Sequence, residues 1–241
     1  MEGEIEEALK NLLVNNFDAR FAENSDTAKE IILSSISKGA IAGIGDSATV
    51  RQVGIVEELE KKGISVLNPF TKELTTDQAK TAVRDNISRQ TFLCDVLVGG
   101  TNAVTRDGKL VNIDAVGNRV ASMIFGPRKV IIIAGKNKIV KDVDEALYRL
   151  KNLIAPFHAR TKRFPTPCAQ TGKCSDCSAP KRICSVTSIM EKRPWRTETS
   201  VILVNEDLGL SWDETWPEER IHRIKSNYER VTWVFASAKT P

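Results

Sequence analysis

Cys168, Cys174, Cys177 and Cys184, four thiols within seventeen residues, are the side chains of this sequence best spaced for chemistry. The pattern Cys-x5-Cys-x2-Cys-x6-Cys holds one Cys-x-x-Cys turn, which brings two sulfurs to one metal centre. Pro167, Gly172 and Pro180 supply bends around it. Structural zinc sites usually pair two such turns across a longer loop. One turn flanked by single cysteines suits a cubane wrapped by one loop, so the spacing predicts a [4Fe–4S] cluster, with zinc as the alternative. From Arg160 to Arg196 nine Lys/Arg oppose only Asp176 and Glu191, making this stretch +7 and the remainder −3. Such charge offsets anionic thiolates or faces an acidic partner, such as a redox protein. Almost no aromatics interleave with it, which argues against nucleic acid. The fifth cysteine, Cys94, lies in an apolar run and reads as a small buried hydrophobe.

A second candidate is the glycine loop Gly43-Ile-Gly45-Asp46-Ser47-Ala-Thr49. It joins a strand to a helix, where backbone N–H groups and the Ser47 and Thr49 hydroxyls can hold an anion. Tight strand–helix packing is the competing reading. The third glycine of a dinucleotide fingerprint is missing, and no phosphate-loop lysine follows. Residues 99 to 119 are unusually polar for a stretch between core strands. Asn102, Asn112, Asp114, Asn118 and Arg119 are assigned to a ligand pocket, with Arg119 suited to a carboxylate or phosphate. Asp107-Gly108 reads instead as a hairpin turn between Ala103–Thr105 and Leu110–Ile113. The two histidines, His158 and His222, have no obvious nucleophile partner and read as surface or packing residues. No Ser/His/Asp or His-Glu-x-x-His signature is present.

The elements that must position these groups alternate. Residues from Ile5 to Ile36 read as helical, then Ala40 to Gly45 as a strand, feeding a helix capped by Asp46 or Ser47 that ends at Gly63. Ile64 to Leu67 is a strand, Thr75 to Arg89 a helix, Cys94 to Gly100 and Lys129 to Ala134 strands, and Asp142 to Ala155 a helix. From Pro156 to Pro194 the pattern lapses, and Ser200 to Val204 and Val231 to Ala236 read as strands. Continuous β-branched runs between amphipathic helices predict a three-layer αβα domain around a mostly parallel sheet. The organisation expected is an α/β domain over 1–160, a basic cysteine-rich metal-binding segment over 161–195, and 196–241 completing the first domain.

With 41% hydrophobic and 27% charged residues in 241, the chain has the balance of an ordinary globular protein. Its apolar runs fall far below the roughly 20 residues that span a bilayer. The acidic start, Met1-Glu-Gly-Glu, is unlike a secretion signal, so a cytoplasmic location is expected, where clustered thiols are metal ligands rather than disulfides.

The glycine loop, Asn102-Ala-Val-Thr105 with Asp107-Gly108, Val111-Asn-Ile-Asp114, Gly117-Asn-Arg119, Phe125-Gly-Pro-Arg-Lys-Val130 and Asn137-Lys138-Ile-Val follow one another in an order that resembles the LUD (lactate utilisation) domain family, from about residue 3 to 160. The resemblance implies an αβα fold similar to those of ribose-5-phosphate isomerase, CoA-transferase and 5-formyltetrahydrofolate cyclo-ligase. It also implies a loop, here Gly43 to Thr49, that faces a small anionic ligand. Members of this family act with iron–sulfur partner proteins in oxidising lactate to pyruvate, and the small member often lacks cysteines. The segment Cys168 to Cys184 departs from that member, so this chain is expected to combine both roles. Two functions follow as expectations. One is an iron–sulfur redox component acting on a small carboxylate such as lactate. The other is a non-redox isomerase or acyl-transfer type of enzyme with a structural or Lewis-acid cluster.

Overall fold

The computed structural model describes residues 2–236. Among the described residues, ten strands form two sheets and eleven α-helices pack around them. The chain begins with α1 (Glu2–Val14), β1 (Asp18–Ala22), α2 (Ser25–Ser34), β2 (Ile41–Ile44), α3 (Ala48–Val53), α4 (Ile55–Lys61) and β3 (Ser65–Leu67). Next come α5 (Lys72–Thr76), α6 (Thr81–Gln90), β4 (Val96–Gly100), β5 (Ala103–Thr105), β6 (Leu110–Asp114), α7 (Asn118–Ile124) and β7 (Lys129–Gly135). The rest is β8 (Ile139–Val140), α8 (Val143–Arg149), α9 (Ala155–Lys162), α10 (Pro167–Thr171), β9 (Val186–Met190), β10 (Glu198–Val204) and α11 (Glu218–Arg230).

The six-stranded sheet has the order β1-β10-β7-β4-β2-β3, and all its pairings are parallel. Both faces of its centre are covered, which is why the central strands are continuous apolar runs. On β7, Ile131 and Ile133 pack with Ile32, Val50 and Leu59 from α2, α3 and α4. Val130, Ile132 and Ala134 face the other way, onto Ala8 and Leu12 of α1 and onto Val104 and Leu110 of the second sheet. That second sheet, β8-β5-β6-β9, is mixed, and its far side packs on α8, α9 and α11. The αβα plan therefore holds, with a small sheet inserted into one of its covering layers.

Several boundaries differ from the sequence expectation, each for a local reason. The helical stretch Ile5–Ile36 is interrupted by β1, because Asn16 takes φ +64 and lets Phe17 turn inward. Asp18–Ala22 then pairs with β10. The helix ending at Gly63 breaks at Gly54, whose φ of +69 ends α3 through a bond to the Val50 carbonyl. The helix placed at Thr75–Arg89 starts at Lys72 and is split at Asp77, whose carboxylate caps a single 3-10 turn. The helix assigned to Asp142–Ala155 continues through a π turn, Leu150–Ile154, to Lys162. The lapse from Pro156 to Pro194 contains β9, paired antiparallel with β6, so the cysteine segment is anchored to the second sheet. Val231–Ala236 is no strand. It packs into the cavity wall, with the Trp233 indole donating to Thr75 Oγ1 and the buried Phe235 under the Lys162 ammonium.

Candidate functional site

Strands β2, β4 and β7 are neighbours in a parallel sheet, so the chain leaving their carboxyl ends converges, the usual place for a ligand in such folds. Asp46 and Ser47 follow β2, Gly100 and Thr101 end β4, and Lys138 follows β7. Together with α6, α7, α9 and the tyrosine of α11 they line a cavity of about 800 Å³. Close approach is built in at Gly100, where a Cβ would collide with the Ser47 hydroxyl. Six basic residues line the cavity (Arg51, Arg84, Arg89, Arg119, Lys138, Lys162) against three acidic ones (Asp46, Asp85, Asp114), an excess that favours an anion.

Of the residues singled out from sequence, Ser47, Asn102, Asp114, Asn118 and Arg119 border this cavity. Arg119 lies at the centre of a network. One amino group donates to Gly100 O at 3.0 Å and Asn112 Oδ1 at 2.7 Å, the other to Asn102 Oδ1 at 2.9 Å and Ile113 O at 2.8 Å. Its Nε lies 3.4 Å from Asp114 Oδ2. The fork expected to meet a ligand is thus occupied by the protein. Asp114 accepts from the Val116 and Gly117 amides, fixing the turn into α7. Asn112 is fully buried behind the cavity wall. Asn118 is half-buried and borders the cavity.

The glycine loop divides in the same way. Gly43 lies inside the sheet, where a Cβ would come within 2.8 Å of Cys94 Sγ. The Gly45 amide donates to Val98 O at 2.9 Å, continuing the sheet. Ser47 caps α3 by accepting from the Val50 amide. Thr49 is buried, and its hydroxyl meets Lys138.

Lys138, Lys162 and His158 are among the cavity residues not assigned to it from sequence. Lys138, 5% exposed, donates to Thr49 Oγ1 at 2.8 Å and Thr101 O at 2.7 Å. Burial, with the nearby Arg119 charge, pushes its pKa down to about 7. Its signal in the sequence is a lysine set between two apolar strands. Lys162, counted among the basic residues of the cysteine segment, is instead buried, 3.1 Å from Asp46 Oδ2. Burial alone would raise the Asp46 pKa, but the charges of Lys162 and Arg51 outweigh it and hold that carboxyl well below its usual range. His158, read as a surface or packing residue, borders the cavity because α9 runs on past Ala155. Its Nδ1 meets the Tyr228 hydroxyl, and burial, reinforced by the Lys162 charge, pushes its pKa down to about 3. The imidazole is neutral at pH 7.

The cysteine segment borders the same cavity: Ile183 lines it, and Cys184 packs on the cluster containing Ala155 and Tyr228. The four thiols are half-buried. The Asp176 amide points at Cys174 Sγ, 3.5 Å away, and Asp176 takes φ +44, so the Cys-x-x-Cys turn is formed. Arg182 reaches Cys184 Sγ at 3.5 Å and donates to Cys177 O. Among the described residues no three His, Cys, Asp or Glu side chains converge into a group able to hold a metal ion. The four thiols have the donor chemistry of an all-thiolate centre, and in this arrangement they do not converge on one point.

No described helix is long and apolar enough to cross a membrane. Among solved structures, the chain is similar to a DUF162 family protein from Deinococcus radiodurans, with 11% identity over 85% of this chain and 98% of that one and a TM-score of 0.49. It is also similar to ribose 5-phosphate isomerase from Plasmodium falciparum, with 13% identity over 48% and 52% and a TM-score of 0.32. A third similarity is to eIF2B beta from Chaetomium thermophilum, with 12% identity over 51% and 44% and a TM-score of 0.34. No curated protein matches the sequence. The LUD domain model matches residues 5–204, which includes the cysteine segment, and the chain is therefore a member of the LUD domain family.

Proposed function

We propose that this LUD-domain protein binds a small carboxylate such as lactate in the cavity and serves as a redox component, in which a [4Fe–4S] cluster held by Cys168, Cys174, Cys177 and Cys184 would pass electrons one at a time to a redox partner protein. One observation carries the reading: a cavity lined by more cations than carboxylates has the cysteine segment as part of its wall, at Ile183. The cations hold the anion, and the segment sets any metal centre beside it. A cluster would supply one-electron transfer. Protein purified without oxygen should be brown, with about four irons and four sulfides per chain, and should bleach reversibly with dithionite. Colourless protein holding one zinc overturns the redox reading. Calorimetric titration with lactate and pyruvate tests the anion site separately. The non-redox alternative draws support from Lys138, a buried amine with no carboxylate partner among the described residues, which suits carbonyl chemistry better than electron transfer.

A further inference from the structure

Lys138 stands apart from the other buried cations. Arg119 has Asp114 and Lys162 has Asp46, whereas among the described residues no carboxylate forms an ion pair with Lys138. Its surroundings are nonetheless specific. The Asn137 side chain fixes the turn by donating to Ser211 O at 3.1 Å and accepting from the Leu208 amide at 2.9 Å. Gly209, at φ +73, leaves room for the amine: a Cβ there would lie 2.9 Å from Lys138 Nζ. A neutral amine has two hydrogens and one lone pair. Thr49 Oγ1 and Thr101 O accept two hydrogens, which leaves the lone pair over, on a side chain that borders the cavity.

We propose that Lys138 is a nucleophile that condenses with the carbonyl carbon of a small 2-oxo acid to form an imine. The proposal rests on the anion-binding reading of the cavity and goes beyond it. The nitrogen lone pair forms the C–N bond while the C=O pair moves to oxygen, which takes up a proton. The nitrogen gives up its two protons in turn, the oxygen leaves as water, and the C=N bond forms, so no oxidant or reductant is consumed. The cationic surplus of the cavity holds the carboxylate. Burial brings the pKa to about 7, so about half of the amine is unprotonated at neutral pH. An exposed lysine is neutral only to about four parts in ten thousand.

The test is reductive trapping with pyruvate and sodium cyanoborohydride at neutral pH, read by intact mass and peptide mapping. One adduct per chain on Lys138 is expected, and its loss, at least tenfold, in Lys138→Arg. Mapping the wild type needs no variant to fold. The trapping rate should fall about tenfold per pH unit below 7 and level off above about 8, where an ordinary lysine still gains. Acetone, a carbonyl without the carboxylate, should label at least tenfold more slowly; equal labelling overturns the 2-oxo-acid assignment. Label scattered over exposed lysines, or none on Lys138, overturns the nucleophile. Calorimetry with pyruvate alone separates the two readings. Binding without trapping refutes the imine and leaves the anion site, and absence of both refutes both.

Discussion

Changing Arg119 to lysine keeps the charge and removes the fork, and the network around it gives that change a magnitude. The guanidinium satisfies four acceptors, the carbonyls of Gly100 and Ile113 and the side-chain oxygens of the half-buried Asn102 and the buried Asn112. An ammonium is a point donor on a shorter stem and cannot reach acceptors spread around a planar fork. If two or three of the four are left unpaired, at roughly 1–1.5 kcal/mol each for the lost bonds, the cost is about 2–4.5 kcal/mol. At roughly 2–4 °C per kcal/mol for a chain of this size, Tm should fall by about 10 °C. Urea unfolding at 15 °C and a thermal melt measure this, and pyruvate titration on the folded variant should show affinity within about threefold of wild type. A melting temperature within about 2 °C of wild type together with a tenfold loss of affinity would refute the reasoning. The fork would then be free for ligand, and the network incidental.

Other changes separate positions that the sequence grouped together. Asp114→Asn should lower stability by about 1–3 kcal/mol, because the carboxylate holds two turn amides and lies beside Arg119. Asn118→Ala, at a half-buried side chain bordering the cavity, should leave Tm nearly unchanged and weaken pyruvate binding in the same titration. Gly43→Ala drives a methyl toward Cys94 Sγ and Thr91, so it should cost about 1–3 kcal/mol without changing ligand affinity. Cys94→Ala in the same chain should recover part of that loss in a urea melt. His158 gives a pH dependence. Its pKa falls from an ordinary 6.5 to about 3 in the folded protein, so between these values the unfolded chain binds the extra proton. Its stabilising contribution is complete above pH 6.5 and is lost as pH falls toward 3. Urea midpoints between pH 7 and 5 should decline in wild type and decline less in His158→Gln; parallel declines would mean the imidazole is solvated.

The fold was legible where a run of residues has one environment. Lys129–Ala134 and Ser200–Val204 are buried on both sides, so their composition alone marks parallel strands, and Asp107-Gly108 makes the hairpin turn its dipeptide specifies. Asp18–Ala22 was not legible, because an edge strand with exposed residues has neither the period nor the apolarity of the centre. The site was legible in region and much less so in role. A polar run between core strands marks the presence of side chains that the core must accommodate, but the same amides and carboxylates serve a ligand or one another. Asn102, Asn112 and Asp114 converge on Arg119, and only coordinates show that its donors are already taken. The reverse holds for Lys138, Lys162 and His158. Each looks like an ordinary charged or surface residue in sequence, since what makes it unusual is burial, and burial belongs to the tertiary packing of β7 and α9 rather than to neighbours in the chain. The polar groups that line the cavity therefore divide into an Asn/Asp/Arg cluster, which holds the wall together, and the Lys138 amine and His158 imidazole, which border the open space.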